Sequence, residues 1–300
     1  MASAIGRFTL DTFRTYGTAL SNTKTVKDAA KVVNGLIQAG ILNNAQLKDS
    51  APKVIGAIDF LEFGESLAYV AKWIDSDFIP KRGEKSPSEE PLKNNLAQLS
   101  LFVTRFFGFL KASDTYQLIT KSDWRALGES IPFVRDHLEK FPAFDTVSGA
   151  FFIPFGGVTL YDNTVQGIDG YKKIVDANAK IKKWTQVNSV SPKVIAASQA
   201  RINLKVEKHD VKKKIANAQL LKSVLGGTST TFKLAAASTA VVAALVFGGV
   251  AGVLTALVFL GLAGNMLSLS KNFVEAYQDK YSRIHNDAAV RLLSRAAAAA

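Results

Sequence analysis

The spacing of apolar positions predicts helices along most of the chain. Val26, Ala30, Val33, Ile37 and Ile41 follow the 4-3-4-4 spacing of one helical face, which Asn43-Asn44 should end. An earlier helix is expected over Ile5–Leu20. Pro52 fits a first helical turn, and Phe60, Phe63, Leu67, Val70 and Ile74 line one face of the helix after it, which runs to about Asp77. Leu92, Leu96, Leu99, Val103, Phe106 and Leu110 form the next stripe. Short helices are expected near Trp124–Gly128 and Phe133–Lys140, and a longer one from about Tyr161 to Trp184. Val211, Ile215, Ala218 and Leu225 share a face before Gly226-Gly227; Phe273, Tyr277, Tyr281, Ile284 and Ala288 continue after residue 270. No run alternates apolar and polar residues as a half-buried strand would. The expected class is all-α, a helical bundle.

One stretch breaks this amphipathic pattern. Leu234–Ser270 is 37 residues without Asp, Glu, Lys, Arg, His or Pro, closed by Lys233 and Lys271. As one straight helix it would run ~55 Å, against a bilayer hydrocarbon core of ~30 Å. Gly248, Gly249 and Gly252 near its middle favour a reversal, giving two arms, roughly Phe232–Phe247 and Val253–Ser270. The simplest reading is an apolar helical hairpin that enters and leaves a membrane on one side. Ala236, Ala240 and Ala244 on one arm, with Gly261 and Gly264 on the other, would let the arms approach closely beside Phe247 and the glycine reversal. The alternative is a soluble bundle with the same hairpin in its core. That alternative is a soluble all-helical interaction protein or secreted effector.

Composition divides the chain into a helical region 1–78, a charged, proline-rich linker or loop 79–91, a helical region 92–190, and a segment 191–295. The last holds the basic helix, the apolar hairpin 234–270 and the final amphipathic helix; residues 296–300 read as an appended alanine tail. The N-terminus, MASAIGRFTLDTF, has no apolar core of a secretory signal.

The net charge of +12 is concentrated. From Lys172 to Lys233 there are fourteen basic residues against Asp176, Glu207 and Asp210. Lysines beside an apolar segment mark the cytosolic side and attract anionic lipid. Lys182, Lys183, Lys212, Lys213, Lys214, Lys222, Lys233 and Lys271 are the expected lipid contacts. Basic flanks on both sides place both termini in the cytosol. Nucleic acid is the less favoured partner of these lysines, because the chain has no Gly-rich RNA motif, no zinc finger and no clear recognition helix.

Candidate chemistry adds little. The absence of cysteine excludes disulfides, thiolate chemistry and Cys-based zinc sites. The three histidines, at 137, 209 and 285, stand far apart in sequence. Ser148-Gly149 lacks the flanking glycine of a nucleophile elbow, and Gly226-Gly227-Thr228 lacks the Lys-Ser/Thr of a phosphate loop. The chain is read as non-enzymatic, without catalytic residues, metal or cofactor.

A candidate internal repeat links three segments. Phe60-x-x-Phe63-Gly64 with Tyr69, and Phe152-x-x-Phe155-Gly156 with Tyr161, stand 92 residues apart. Phe247-Gly248-Gly249-Val250 repeats Phe155-Gly156-Gly157-Val158 after another 92.

The double apolar lobe Leu234–Phe247 and Val253–Ser270 around Gly248-Gly249 resembles the bilobed hydrophobic domain of chlamydial inclusion membrane proteins. The Ser/Thr-rich first 25 residues are similar to type III secretion leaders. The lobe stands later here than in that family's commonest arrangement. The resemblance implies insertion in a host-derived vacuole membrane, both termini in host cytosol, and a host protein partner. Peroxin-11-type membrane-shaping proteins, also helical and basic, are similar in the same respects. The sequence therefore predicts a membrane-associated helical protein. An apolar hairpin and lysines hold it on anionic lipid, and its other helices are free for partner binding, membrane shaping or oligomerisation.

Overall fold

In a computed structural model, the structure describes residues 22–73, 91–118, 123, 126, 144–187, 195–247 and 253–298. The helices expected over Ile5–Leu20, Trp124–Gly128 and Phe133–Lys140 and the linker 79–91 fall wholly or mostly outside them. Among the described residues there are six helices and no strand: α1 Thr23–Gln38, α2 Ala45–Trp73, α3 Pro91–Thr115, α4 Phe144–Val187, α5 Ile195–Phe247 and α6 Leu254–Ala298. The fold is all-α. Helix α6 continues through Ala296–Ala298, so most of the alanine tail is helical.

Several boundaries differ from the sequence pattern for local reasons. Helix α1 stops at Gln38 because Gly40 takes a left-handed turn (φ 71°), and the Gly40 and Ile41 amides donate to Ile37 and Leu36 carbonyls at 3.0 Å. Asn44, expected to end α1, instead starts α2: its Oδ1 accepts from the Leu47 amide at 3.0 Å. Pro52 therefore lies inside α2 rather than in its first turn, and Pro154 lies inside α4. Each proline removes one amide from the helical ladder. Pro91, in contrast, opens α3.

Contacts divide the chain into two compact units. One comprises Thr23–Tyr161 with Thr228–Leu267; the other comprises, of the described chain, Asp162–Gly227 with the residues from Ser268 onward. Helices α4, α5 and α6 each contribute a segment to both.

In the first unit, α2 lies antiparallel to α3 through a phenylalanine ladder. The Phe60 ring meets Phe109 edge-on at 5.3 Å, and Phe63 lies 4.8 Å from Phe109 and 5.8–5.9 Å from Phe106 and Phe102. The Tyr116 hydroxyl donates to the Lys53 carbonyl. Helix α1 packs by its polar face: Thr25, Lys27, Asp28 and Gly35 are buried, while Ile41, just beyond it on the expected apolar stripe, is 64% exposed. The Lys27 ammonium bridges Asp59 and, at 2.7 Å, Glu62. Arg105 of α3 donates to Ser66 Oγ at 2.6 Å and to the Glu62 carbonyl at 3.3 Å. These charged contacts join the three helices beside the phenylalanine ladder. Gly64, on the outer side of α2, faces open space. Gly64→Ala is expected to raise stability by about 0.5–1 kcal/mol, read as a higher thermal midpoint, since only helix propensity changes.

Small residues bring the long helices together. Gly149, Gly156, Asn163, Gly170, Ala177 and Trp184 recur every seven residues along α4 and face α5. In the first unit a Cβ on Gly149 would lie 3.6 Å from Ala237, and one on Gly156 would lie 2.6 Å from Leu234 Cδ2. In the second, a Cβ on Gly170 would meet the Leu220 amide nitrogen at 3.2 Å and the Ala216 carbonyl at 3.4 Å. Gln219 Nε2 reaches the Gln166 carbonyl at 3.2 Å and Asp169 at 3.0 Å. Helix α5 answers at multiples of the same interval: Ala216 and Ser223 in the second unit and Ala237 in the first. A seven-residue period keeps one face of each helix on its partner.

Candidate functional site

The apolar stretch occupies the end of α5 and the start of α6. Phe247 is the last residue of α5 and Leu254 the first of α6; Gly248, Gly249 and Gly252, the expected reversal, lie outside the described residues. The two helices meet antiparallel in each unit. In the first, Ser229 Oγ donates to the Gly264 carbonyl at 2.7 Å, and a Cβ on Gly264 would lie 3.0 Å from Lys233 Cγ. In the second, Lys222 pairs with Glu275 at 3.0 Å. Gly264 is therefore a close-approach glycine, whereas a Cβ on Gly261 would meet nothing within 4 Å. Ala236, Ala240 and Ala244 are half-buried; the tightest positions are Ala243, which is buried, and Ala237 against Gly149.

The outer surface of these helices is unusual. Every exposed position of α5 from residue 217 onward is uncharged: Asn217, Leu221, Val224, Thr228, Thr231, Ala235, Ser238, Val242 and Val246. Those of α6 from Leu254 to Tyr277 are Leu254, Thr255, Ala256, Phe259, Met266, Ser270 and Tyr277, again uncharged. Leu254–Arg283 is the one described helix segment long and apolar enough to cross a membrane, and only 11% of its apolar window is buried. Within the first unit the buried polar side chains include Thr25, Lys27, Asp28, Ser66, Ser100, Ser113, Ser229 and Thr230, whereas Leu61, Leu99, Val246, Leu254 and Phe259 are at least half exposed. Ala51, Ile58, Leu110, Ala112, Ala243 and Leu262 are buried in the same unit, so an apolar core and an uncharged outer surface stand side by side on it.

The lysines fall into two sets. Lys222, Lys233 and Lys271 are half-buried: Lys222 is bonded to Glu275, and the Lys233 stem lies over Gly264. Lys182, Lys183 and Lys212 are exposed, Lys213 is half-buried, and Lys214 pairs with Asp210 at 3.0 Å. The Asp210 hydrogen bond, and then its charge, hold the Lys214 ammonium above its ordinary range. Three short-range pairs recur down the second unit: Asp169–Lys173, Asp176–Lys180 and Asp210–Lys214. Each is an i,i+4 pair legible in the sequence. They account for those acids, and among the described residues Lys182, Lys183, Lys208, Lys212 and Lys213 form no ion pair. Lys205 instead lies 3.8 Å over the Trp184 ring.

His209, on the lysine-rich part of α5, is half-buried, and its Nδ1 is enclosed without a hydrogen-bond partner among the described residues. Compared with protein families, curated proteins and solved structures, the chain matches none.

Proposed function

We propose that the chain is a non-enzymatic, membrane-anchored helical protein. The apolar arms of α5 and α6 sit in lipid, both termini face the cytosol, and the remaining helices are presented to a protein partner or shape the membrane. The observation that carries this reading is the uncharged exterior of the two arms, with Val246, Leu254 and Phe259 turned outward. In water such a surface would drive association; in lipid it is the expected exterior. Lys233 and Lys271, which bracket the arms in sequence, snorkel to anionic headgroups. The host-derived vacuole membrane implied by the sequence resemblance is one setting for such an anchor.

A soluble reading has its own observation. Leu262 packs over Gly35 of α1, with a Cβ there only 3.1 Å from Leu262 Cδ1, so part of the segment is covered by protein. The two readings separate on one double variant, Val246→Asp with Phe259→Asp. An aspartate at a lipid-facing helix centre costs ~2.5–3.5 kcal/mol, whereas at a water-exposed site it costs under ~0.5 kcal/mol. The wild-type chain is expected to stay in the membrane pellet after alkaline carbonate extraction, and the variant to appear in the supernatant. A wild-type chain that washes off, with a variant of unchanged thermal midpoint, would sink the anchor and leave the soluble reading.

A further inference from the structure

We infer that α4 supplies a third arm of the anchor, with residues 146–161 in contact with lipid acyl chains beside α5 and α6. The inference rests on the reading of α5 and α6 as membrane arms and extends it to a helix which that reading leaves outside the bilayer. From Thr146 to Tyr161 the chain carries no charged side chain, and Asp145 and Asp162 close the run. The whole run lies inside α4 and inside the first unit, together with the apolar arms from Thr228 to Leu267. As a helix it spans ~24 Å, a few ångströms less than the ~30 Å hydrocarbon core, and local thinning of the bilayer accommodates a shortfall of that size.

One side of the run is closed against protein. Gly149 faces Ala237 and Gly156 faces Leu234, so α4 runs antiparallel along the apolar arm of α5. Small residues at such crossings let helices approach closely in lipid, where no hydrophobic effect draws them together. At about 100° per residue, Ala150, Phe151, Pro154, Gly157, Val158 and Tyr161 fall on the side away from Gly156. Ala150, Phe151, Gly157 and Tyr161 are exposed, and a Cβ on Gly157 would meet nothing within 4 Å.

Several features suit this outer side to acyl chains. The exposed positions of α5 and α6 in the same unit are uncharged as well, so all three helices present the same kind of exterior. Thr159, inside the run, satisfies its hydroxyl without water: Oγ1 donates to the Phe155 carbonyl at 2.9 Å. Gly149, Gly156, Gly157 and Pro154 stand within the run, and glycine and proline are more frequent in membrane helices than in soluble ones. Tyr161, 55% exposed, ends the run where an amphipathic ring meets headgroups, and Asp162 opens the charged half of α4.

The chain has no cysteine, so a single introduced thiol can be labelled without background. Gly157→Cys and Phe151→Cys report on the outer side of the run, Phe259→Cys on the α6 arm, and Lys183→Cys on the charged half of α4. Each full-length variant is labelled with an environment-sensitive fluorophore and reconstituted in phosphatidylcholine vesicles, with or without brominated acyl chains. Circular dichroism identical to that of the unsubstituted chain shows that each variant keeps its helices. The brominated lipid is expected to remove most of the fluorescence at positions 157, 151 and 259 and to leave that at 183 unchanged. Quenching at 259 without quenching at 157 and 151 overturns the third arm and leaves the two-arm anchor standing. Quenching at none of the four positions overturns the anchor and the third arm together. Equal quenching at 157 and 183 would lay α4 along the membrane surface, and it too overturns the inference.

Discussion

Lys27→Met should destabilise the protein by about 3 kcal/mol, the scale of removing one partner from a buried ion cluster. The Lys27 side chain is only 8% exposed and those of Asp59 and Glu62 16% and 25%, so both carboxylates would lose their shared cation without gaining much water. Removing the carboxylates as well, in Lys27→Met/Asp59→Leu/Glu62→Leu, should recover most of the loss, because an apolar replacement of a whole cluster is often neutral. Chemical denaturation of the three proteins measures this; a triple variant no more stable than the single would show that the helices need the charges for register.

The same cluster sets a pH window. Burial disfavours the charge on Lys27, yet Asp59 and Glu62 outweigh it and lift the ammonium above its ordinary 10.5. Burial likewise opposes the Glu62 carboxylate, and Lys27 outweighs it, holding Glu62 below its ordinary 4.5. The Glu62 contribution is therefore present above 4.5 and lost as pH falls through its folded value. The Lys27 contribution is present below 10.5 and lost as pH rises through its own. Half-buried Lys31 works against it: burial and then Lys27 hold it low, so its share of stability grows as pH rises towards 10.5. Stability measured against pH should form a plateau through neutrality with its sharper edge on the acid side.

The second large effect is expected at Gly170. Its Cβ position lies against backbone atoms of Leu220 and Ala216, which cannot rotate aside as a side chain can. Gly170→Leu should cost about 3 kcal/mol or more, by forcing α4 from α5. Gly157→Leu, on the same helix with nothing within 4 Å of its Cβ position, is the matched control and should change stability by under about 1 kcal/mol. Equal melting of the two variants would show that the seam is not tight in solution.

The helical class was legible because apolar periodicity is a local property, and the apolar stretch was legible because charge is simply absent from it. The buried face of α1 was not. Val26, Val33 and Ile37 make the obvious stripe, but Lys27 and Asp28 are buried instead, and the partners of Lys27 lie 32 and 35 residues further on. Pairings at that range leave no mark on local spacing. Pro52 misled for a related reason: a proline signals a boundary only when nothing else holds the helix. On α5 the four-residue spacing picked Ala236, Ala240 and Ala244, while the alanine that meets Gly149 of α4 is Ala237.

A seam that repeats every seven residues is also a ruler of phase. Each residue turns a helix by about 100°, so deleting one between Gly170 and Ala177 would swing the later side chains of α4 in the second unit a quarter-turn or more away from α5. Deleting seven restores the phase but slides those residues ~10 Å along α5, one step of the seam. Length changes within this seam should therefore come in whole sevens and in both helices together.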